Sequence, residues 1–138
     1  MADLSLNAVV SQKIEVSPGL IILRVVPVGW ELPDYKAGQF TVLGLPGTAQ
    51  RHNFSDEEIP LKDKKKLIRR AYSVSSASVN KEYIEFYITM VRSGALTPRI
   101  FALETGDKIF LSQKFSGVFT LEMTESDSNI VMLGTGTG

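Results

Sequence analysis

Apolar and polar residues alternate along much of this chain in short bursts. In Tyr83 to Val91, Ile84, Phe86, Ile88 and Met90 interleave with Glu85, Tyr87 and Thr89. Successive strand side chains point to opposite faces, so this period of two predicts a half-buried strand. Val9 to Val16 is β-branched and alternating, and Leu20 to Val28 follows as a second apolar strand. Between them, Ser17-Pro18-Gly19 places proline and glycine where a turn wants them, which is a hairpin signal. Thr41 to Gly44, Ala71 to Ser75 and Lys108 to Leu111 supply further short strands.

Thr97-Pro98 reads as a helix start, with threonine at the N-cap and proline at the first helical position. Ile100, Phe101 and Leu103 give that short helix its apolar side, and Gly106-Asp107 ends it. About six short strands with one helix imply a small all-β fold, a six-stranded antiparallel β-barrel. Gly47 to Lys66 has no apolar periodicity and predicts a long loop. Near the C-terminal end, Ile130-Val131-Met132-Leu133 is a continuous apolar run that suits a strand buried on both faces. The polar stretch Glu122 to Asn129 before it looks like a linker.

Composition narrows the chemistry. The 138 residues fit one domain, large enough to bury a core without staples. Fifteen basic and fifteen acidic residues cancel, so charge gives no argument for nucleic acid or an anionic membrane. There is no cysteine, which excludes disulfides, a thiol nucleophile and a cysteine-ligated iron–sulfur cluster within the sequence. Met1 to Ser5 carries no basic or apolar signal region, and no apolar run reaches a membrane span of about 20 residues. A cytoplasmic protein is expected. His52 stands alone, without metal-ligand spacing, so no metal site is expected. The basic run Lys62 to Arg69 reads as a solvated loop more readily than as a docking surface.

Three motifs carry chemistry, in order. The first is Arg70-Ala71-Tyr72-Ser73, an R-x-Y-S run at a strand. An arginine there offers paired hydrogen bonds to phosphate oxygens, a tyrosine a stacking face, and a serine a small donor and acceptor. The second follows Phe86-Tyr87-Ile88-Thr89: the turn Gly94-Ala95-Leu96-Thr97, where glycine permits close backbone approach and free amides favour a phosphate. The third is Gly134-Thr135-Gly136-Thr137-Gly138, a glycine-rich turn directly after the apolar run. Each alone also has an ordinary structural reading: a core tyrosine beside a surface arginine, a helix cap, a common strand-ending turn.

Together, in this order and spacing, the motifs resemble the ferredoxin–NADP reductase superfamily. The run Leu96-Thr97-Pro98-Arg99-Ile100-Phe101-Ala102-Leu103 is similar to the bacterial ferredoxin/flavodoxin–NADP reductases in particular. The resemblance implies a six-stranded antiparallel Greek-key β-barrel that binds FAD over residues 1–128, with 129–138 the first strand and glycine turn of an NADP-binding α/β domain. It implies that Arg70, Ala71, Tyr72, Ser73, Tyr87, Ile88, Thr89, Gly94, Ala95, Leu96, Thr97 and Thr137 line the cofactor. Arg70 would sit on the pyrophosphate, and Tyr72 and Ser73 would serve the reactive end of the flavin. In such an enzyme a hydride passes between NADPH and FAD, and single electrons pass to or from ferredoxin or flavodoxin. Two other readings remain open at this point. One is the flavin domain of an oxygenase reductase or other flavin reductase, and the other a β-barrel binding module without flavin.

Overall fold

The computed structural model describes residues 6–137. Alternating burial builds its sheet. Strand β1 (Ala8–Ser17) turns at Pro18-Gly19 into β2 (Leu20–Pro27). Gly19 takes φ of 79°, the left-handed value that the second central residue of a type II turn needs after proline. Then come β3 (Phe40–Pro46), β4 (Leu67–Ser73), β5 (Ile84–Thr89), a short helix α1 (Thr97–Phe101) and β6 (Lys108–Leu111). The strands are ordered β4-β3-β6-β1-β2-β5, and every ladder is antiparallel.

The inward residues form one core. Val10, Leu23, Val25, Leu43, Ile84, Phe86, Ile109 and Leu111 are fully buried in it. Helix α1 adds Ile100 and Phe101, so its apolar side packs into the same core. The period-two expectation holds along β5, where Ile84, Phe86 and Ile88 are buried and Tyr87 and Thr89 are exposed. Trp30 and Tyr35 pack against the core. The indole Nε1 of Trp30 donates to the Asn7 carbonyl at 2.8 Å, and Tyr35 stacks on Phe115 at 4.7 Å.

The sheet differs from the expected closed barrel at one seam. β4 and β5, the two ends of the strand order, share no ladder. Just beyond β4, the Ser75 N–H donates to the Glu85 carbonyl at 2.8 Å, and the Glu85 N–H donates to Ser76 Oγ at 3.0 Å. Tyr72 meets Phe86 edge to face across the seam, with ring centroids 6.5 Å apart. The two strands are therefore stitched at one end and joined by side-chain packing further along.

Two local expectations are corrected. Thr97 does not cap α1: the N-cap position is Leu96, with no side-chain cap bond. The Thr97 hydroxyl instead donates to the Val91 carbonyl and accepts the Val91 N–H, at 3.1 and 2.9 Å. The apolar run Ile130 to Leu133 forms no strand, and Val131, Met132 and Leu133 are exposed. A strand needs a neighbour for its N–H and C=O groups, and this run pairs with none among the described residues.

The long loop from Gly47 to Lys66 is present without helix or strand, as predicted. It is not loose. Buried Arg99, 3% exposed, reaches from α1 into it and bonds both Glu58 oxygens at 2.7 Å and the Gly47 carbonyl at 2.9 Å.

Candidate functional site

The seam between β4 and β5 is the wall of a groove of about 480 Å³. Three of the sequence motifs meet there. Arg70, Ala71 and Tyr72 line it from β4, Tyr87, Ile88 and Thr89 from β5, and Gly94, Ala95, Leu96 and Thr97 from the turn into α1. Thr137 lines it from the glycine-rich segment. Residues of β4 and β5 thus share one cavity, because the two strands are the ends of the strand order and face each other across the seam. Gly138 lies outside the described residues. Ser73 stands at the exposed end of β4, opposite Phe40, and is not part of the groove lining. Val91 lines the groove as well, and the sequence reading did not single it out.

The walls are chemically distinct. On β4, Arg70 is exposed and makes no ion pair among the described residues. Its Nη1 donates only to the neighbouring Arg69 carbonyl, at 2.7 Å, which leaves most of the guanidinium fork free. Tyr72 is half-buried, and burial pushes its phenol up to about 12, with the positive charge of Arg70 opposing. The Tyr72 phenol is therefore neutral near pH 7 and serves as a ring face and hydroxyl, not as a base. On β5, Tyr87 is 39% exposed and presents a second aromatic side chain to the cavity.

The third wall is backbone. Among the described residues, the N–H groups of Ala95, Leu96 and Thr97 take no backbone acceptor. Gly94 is needed for the turn itself. A Cβ there would meet the Val91 carbonyl at 3.0 Å, Val91 Cβ at 3.2 Å and Thr97 Oγ1 at 3.4 Å. Close packing inside the turn, closed by the Gly94 N–H to the Val91 carbonyl at 2.8 Å, accounts for the glycine.

Sequence reasoning missed what lies behind this turn. Arg51, in the long loop, donates to the Gly94 carbonyl at 2.9 Å and to Glu58 at 3.2 Å. Arg99 donates to the Ala95 carbonyl at 2.7 Å. Arg99 and Arg51, with Lys64 further off, hold the Glu58 carboxyl below the usual carboxylate range, against the opposing effect of desolvation. Charge counts alone show an acidic patch and scattered arginines; no periodic signal links positions 51, 58 and 99.

His52 sits in the loop with its Nδ1 accepting the Phe54 N–H, and no group of metal-ligating side chains occurs among the described residues. No helix among them is long and apolar enough to cross a membrane.

No protein-family model matches the chain. Individual relatives do. The flavodoxin/ferredoxin–NADP reductase of Buchnera aphidicola subsp. Schizaphis graminum is 38% identical over 108 residues, covering 78% of this chain and 39% of that protein. The flavodoxin/ferredoxin–NADP reductase of Escherichia coli is 33% identical over 103 residues, covering 75% of this chain and 35% of that protein. The chain thus spans a little over a third of the length of these relatives. In structure, it is similar to a ferredoxin NADP+ reductase from Neisseria gonorrhoeae with bound FAD and NADP, at TM-score 0.61 and 23% identity, over 81% of this chain and 38% of that one. It is also similar to a flavohemoglobin from Malassezia yamatoensis with bound FAD and heme, at TM-score 0.67 and 17% identity, over 88% of this chain and 27% of that one. At such identities the structural likeness speaks for the fold alone, and the sequence relatives choose within it. Over the region they share, the chain belongs to the ferredoxin–NADP reductase superfamily, beside the bacterial flavodoxin/ferredoxin–NADP reductases.

Proposed function

We propose that the β4–β5 groove binds FAD, and that the chain is the FAD-binding part of a flavodoxin/ferredoxin–NADP reductase acting in the cytoplasm. One observation carries this reading: Arg70 and Tyr72, Tyr87, and the Gly94–Thr97 turn line one cavity. A flavin dinucleotide needs a flat apolar surface, donors along its ring edge, and positive charge or amides for its phosphates. The groove offers two tyrosines and, among the described residues, a guanidinium without a carboxylate partner and a run of unpaired backbone amides, so the donor set fits.

In this reading Arg70 takes the pyrophosphate through charge-assisted bonds, and Tyr72 lies against the ring. The amides of Ala95 to Thr97 take phosphate oxygens. Ile88 and Thr89 complete the β5 wall, and Ala71 lines the β4 wall with Arg70 and Tyr72. Ser73, at the end of β4, stands at the reactive edge of the ring and affects reduction more than retention. The six strands form a Greek-key barrel that is left open at one seam for the ligand. When bound, FAD supplies the exchange between two-electron hydride chemistry and single-electron transfer. The protein binds and orients it.

The remaining assignments concern a longer protein. Residues 129–138 would begin an NADP-binding unit, with Thr137 near the nicotinamide, and ferredoxin or flavodoxin would be the electron partner. The placement of Thr137 on the groove supports its own assignment. Titrating the chain with FAD while following flavin fluorescence tests the central claim. Saturable binding that Arg70→Ala weakens is expected; absence of binding would overturn it.

A further inference from the structure

The turn that presents the unpaired amides is held from behind by a loop. The Gly94 carbonyl accepts from Arg51 at 2.9 Å, and the Ala95 carbonyl accepts from Arg99 at 2.7 Å. Both guanidinium groups converge on Glu58, with Arg99 bonding its two oxygens at 2.7 Å each and Arg51 bonding one at 3.2 Å. Arg51 also donates to the carbonyls of Asp56 and Arg92, at 2.9 and 3.3 Å. Further backbone bonds tie the loop to the same region: the His52 N–H donates to Pro98 and the Asp56 N–H to Arg92, at 2.9 and 3.0 Å.

Two consecutive carbonyls of the turn, Gly94 and Ala95, are thus each gripped by a separate arginine. The orientation of a peptide plane fixes both of its ends. Pinning the Gly94 carbonyl sets the direction of the Ala95 N–H, and pinning the Ala95 carbonyl sets that of the Leu96 N–H. Glu58 is what allows two arginines to lie side by side here, because its carboxylate neutralises charge that would otherwise repel across a half-buried site.

We propose that Glu58, Arg51 and Arg99 form a positioning clamp that aims the amides of the Gly94–Thr97 turn at a phosphate group of the bound flavin nucleotide. They touch the backbone, not the ligand, and so act through the turn. This deepens the function proposed above and rests on it. The long loop then has a role as the part that carries two of the three clamp residues to the back of the cofactor groove.

The test compares three flavins that share a ring and differ in phosphate: FAD, FMN and riboflavin. Dissociation constants are measured for the wild-type chain and for Glu58→Ala, Glu58→Gln and Arg51→Ala, with melting curves alongside. Arg99 is left alone because it is buried. Losing the aim of one hydrogen bond should weaken FAD and FMN by about three- to tenfold in Glu58→Ala and Arg51→Ala. Riboflavin affinity should change by less than about twofold, since no phosphate meets the turn. Glu58→Gln keeps one acceptor and should recover part of the loss. Should Arg51→Ala fail to fold, the two Glu58 variants carry the comparison. Equal losses for all three flavins, or no loss for any, would overturn the clamp while leaving flavin binding intact. A wild-type chain that binds no flavin would overturn both.

Discussion

The backbone N–H of Ser75 donates to the Glu85 carbonyl at 2.8 Å, just past the end of β4. This bond ties together the two strands that form opposite walls of the groove. Ser75 Oγ reinforces it with a bond to the Glu85 carboxylate at 3.1 Å, and that carboxylate also pairs with Arg24 at 2.9 Å.

Ser75→Pro removes the bridging donor and should destabilise the chain by about 1–3 kcal/mol, the cost of leaving a carbonyl without its partner. Denaturant unfolding would measure it. Ser75→Ala, which keeps the N–H, should lose far less. Equal stability of the proline variant and the wild type would mean that the seam is held by side-chain packing alone.

Arg70→Ala should weaken FAD binding by about 1.5–3 kcal/mol, the range for hydrogen bonds to a charged group. Its guanidinium is exposed and without an ion-pair partner among the described residues, so folding should be little affected. An unchanged dissociation constant would remove Arg70 from the site.

The Tyr72 phenol is pushed up to about 12 from its usual 10.0, chiefly by burial. A group whose folded value is raised contributes stability that is whole below its unfolded value and is lost as pH rises through the folded one. The difference in stability between wild type and Tyr72→Phe should therefore shift between about pH 10 and about pH 12 and stay flat below. Unfolding curves recorded across that range would reveal it, and a flat difference throughout would contradict the burial of this phenol.

Glu58 gives the opposite sign. Its carboxyl is held below the usual range, first by the hydrogen bonds from Arg99 and then by the charges of Arg99, Arg51 and Lys64. A depressed folded value contributes stability above the unfolded value that is lost as pH falls through the folded one. Wild-type stability should fall on acidification below the ordinary carboxylate range, and Glu58→Gln should flatten that slope. Parallel acid-unfolding curves for the two proteins would show that the pair contributes no such linkage.

Much of this architecture was legible in the sequence because its signals are local. The β5 alternation placed Ile84, Phe86 and Ile88 inside without reference to any other strand. Pro18-Gly19 announced its hairpin by turn chemistry alone. The candidate residues stand in recognisable motifs, and all of them but Ser73 line one cavity. What could not be read depends on partners far away in sequence. Thr97 looked like a cap because its choice of Val91 over its own helix is decided by a turn geometry that no pattern encodes. The Ile130 to Leu133 run had strand composition, but composition does not supply a neighbouring strand. Glu58 and Arg99 lie 41 positions apart, and their pairing exists only once the loop has folded back on α1.

The open seam has a thermodynamic consequence. Where β4 and β5 lack a ladder, the sheet forgoes cross-strand bonding that a closed barrel would have. A ligand seated between the two walls and bonded to both would act as a strut across them, present only in the folded state. Stability then becomes a function of ligand supply: at a free concentration of 100 times the dissociation constant, mass action adds about 2.7 kcal/mol. For a small domain that is a sizeable fraction of the whole margin between folded and unfolded. A gap that admitted such a ligand would also leave the chain most open to unfolding and proteolysis when that ligand is scarce, so the protein's lifetime would report on whether the groove is filled.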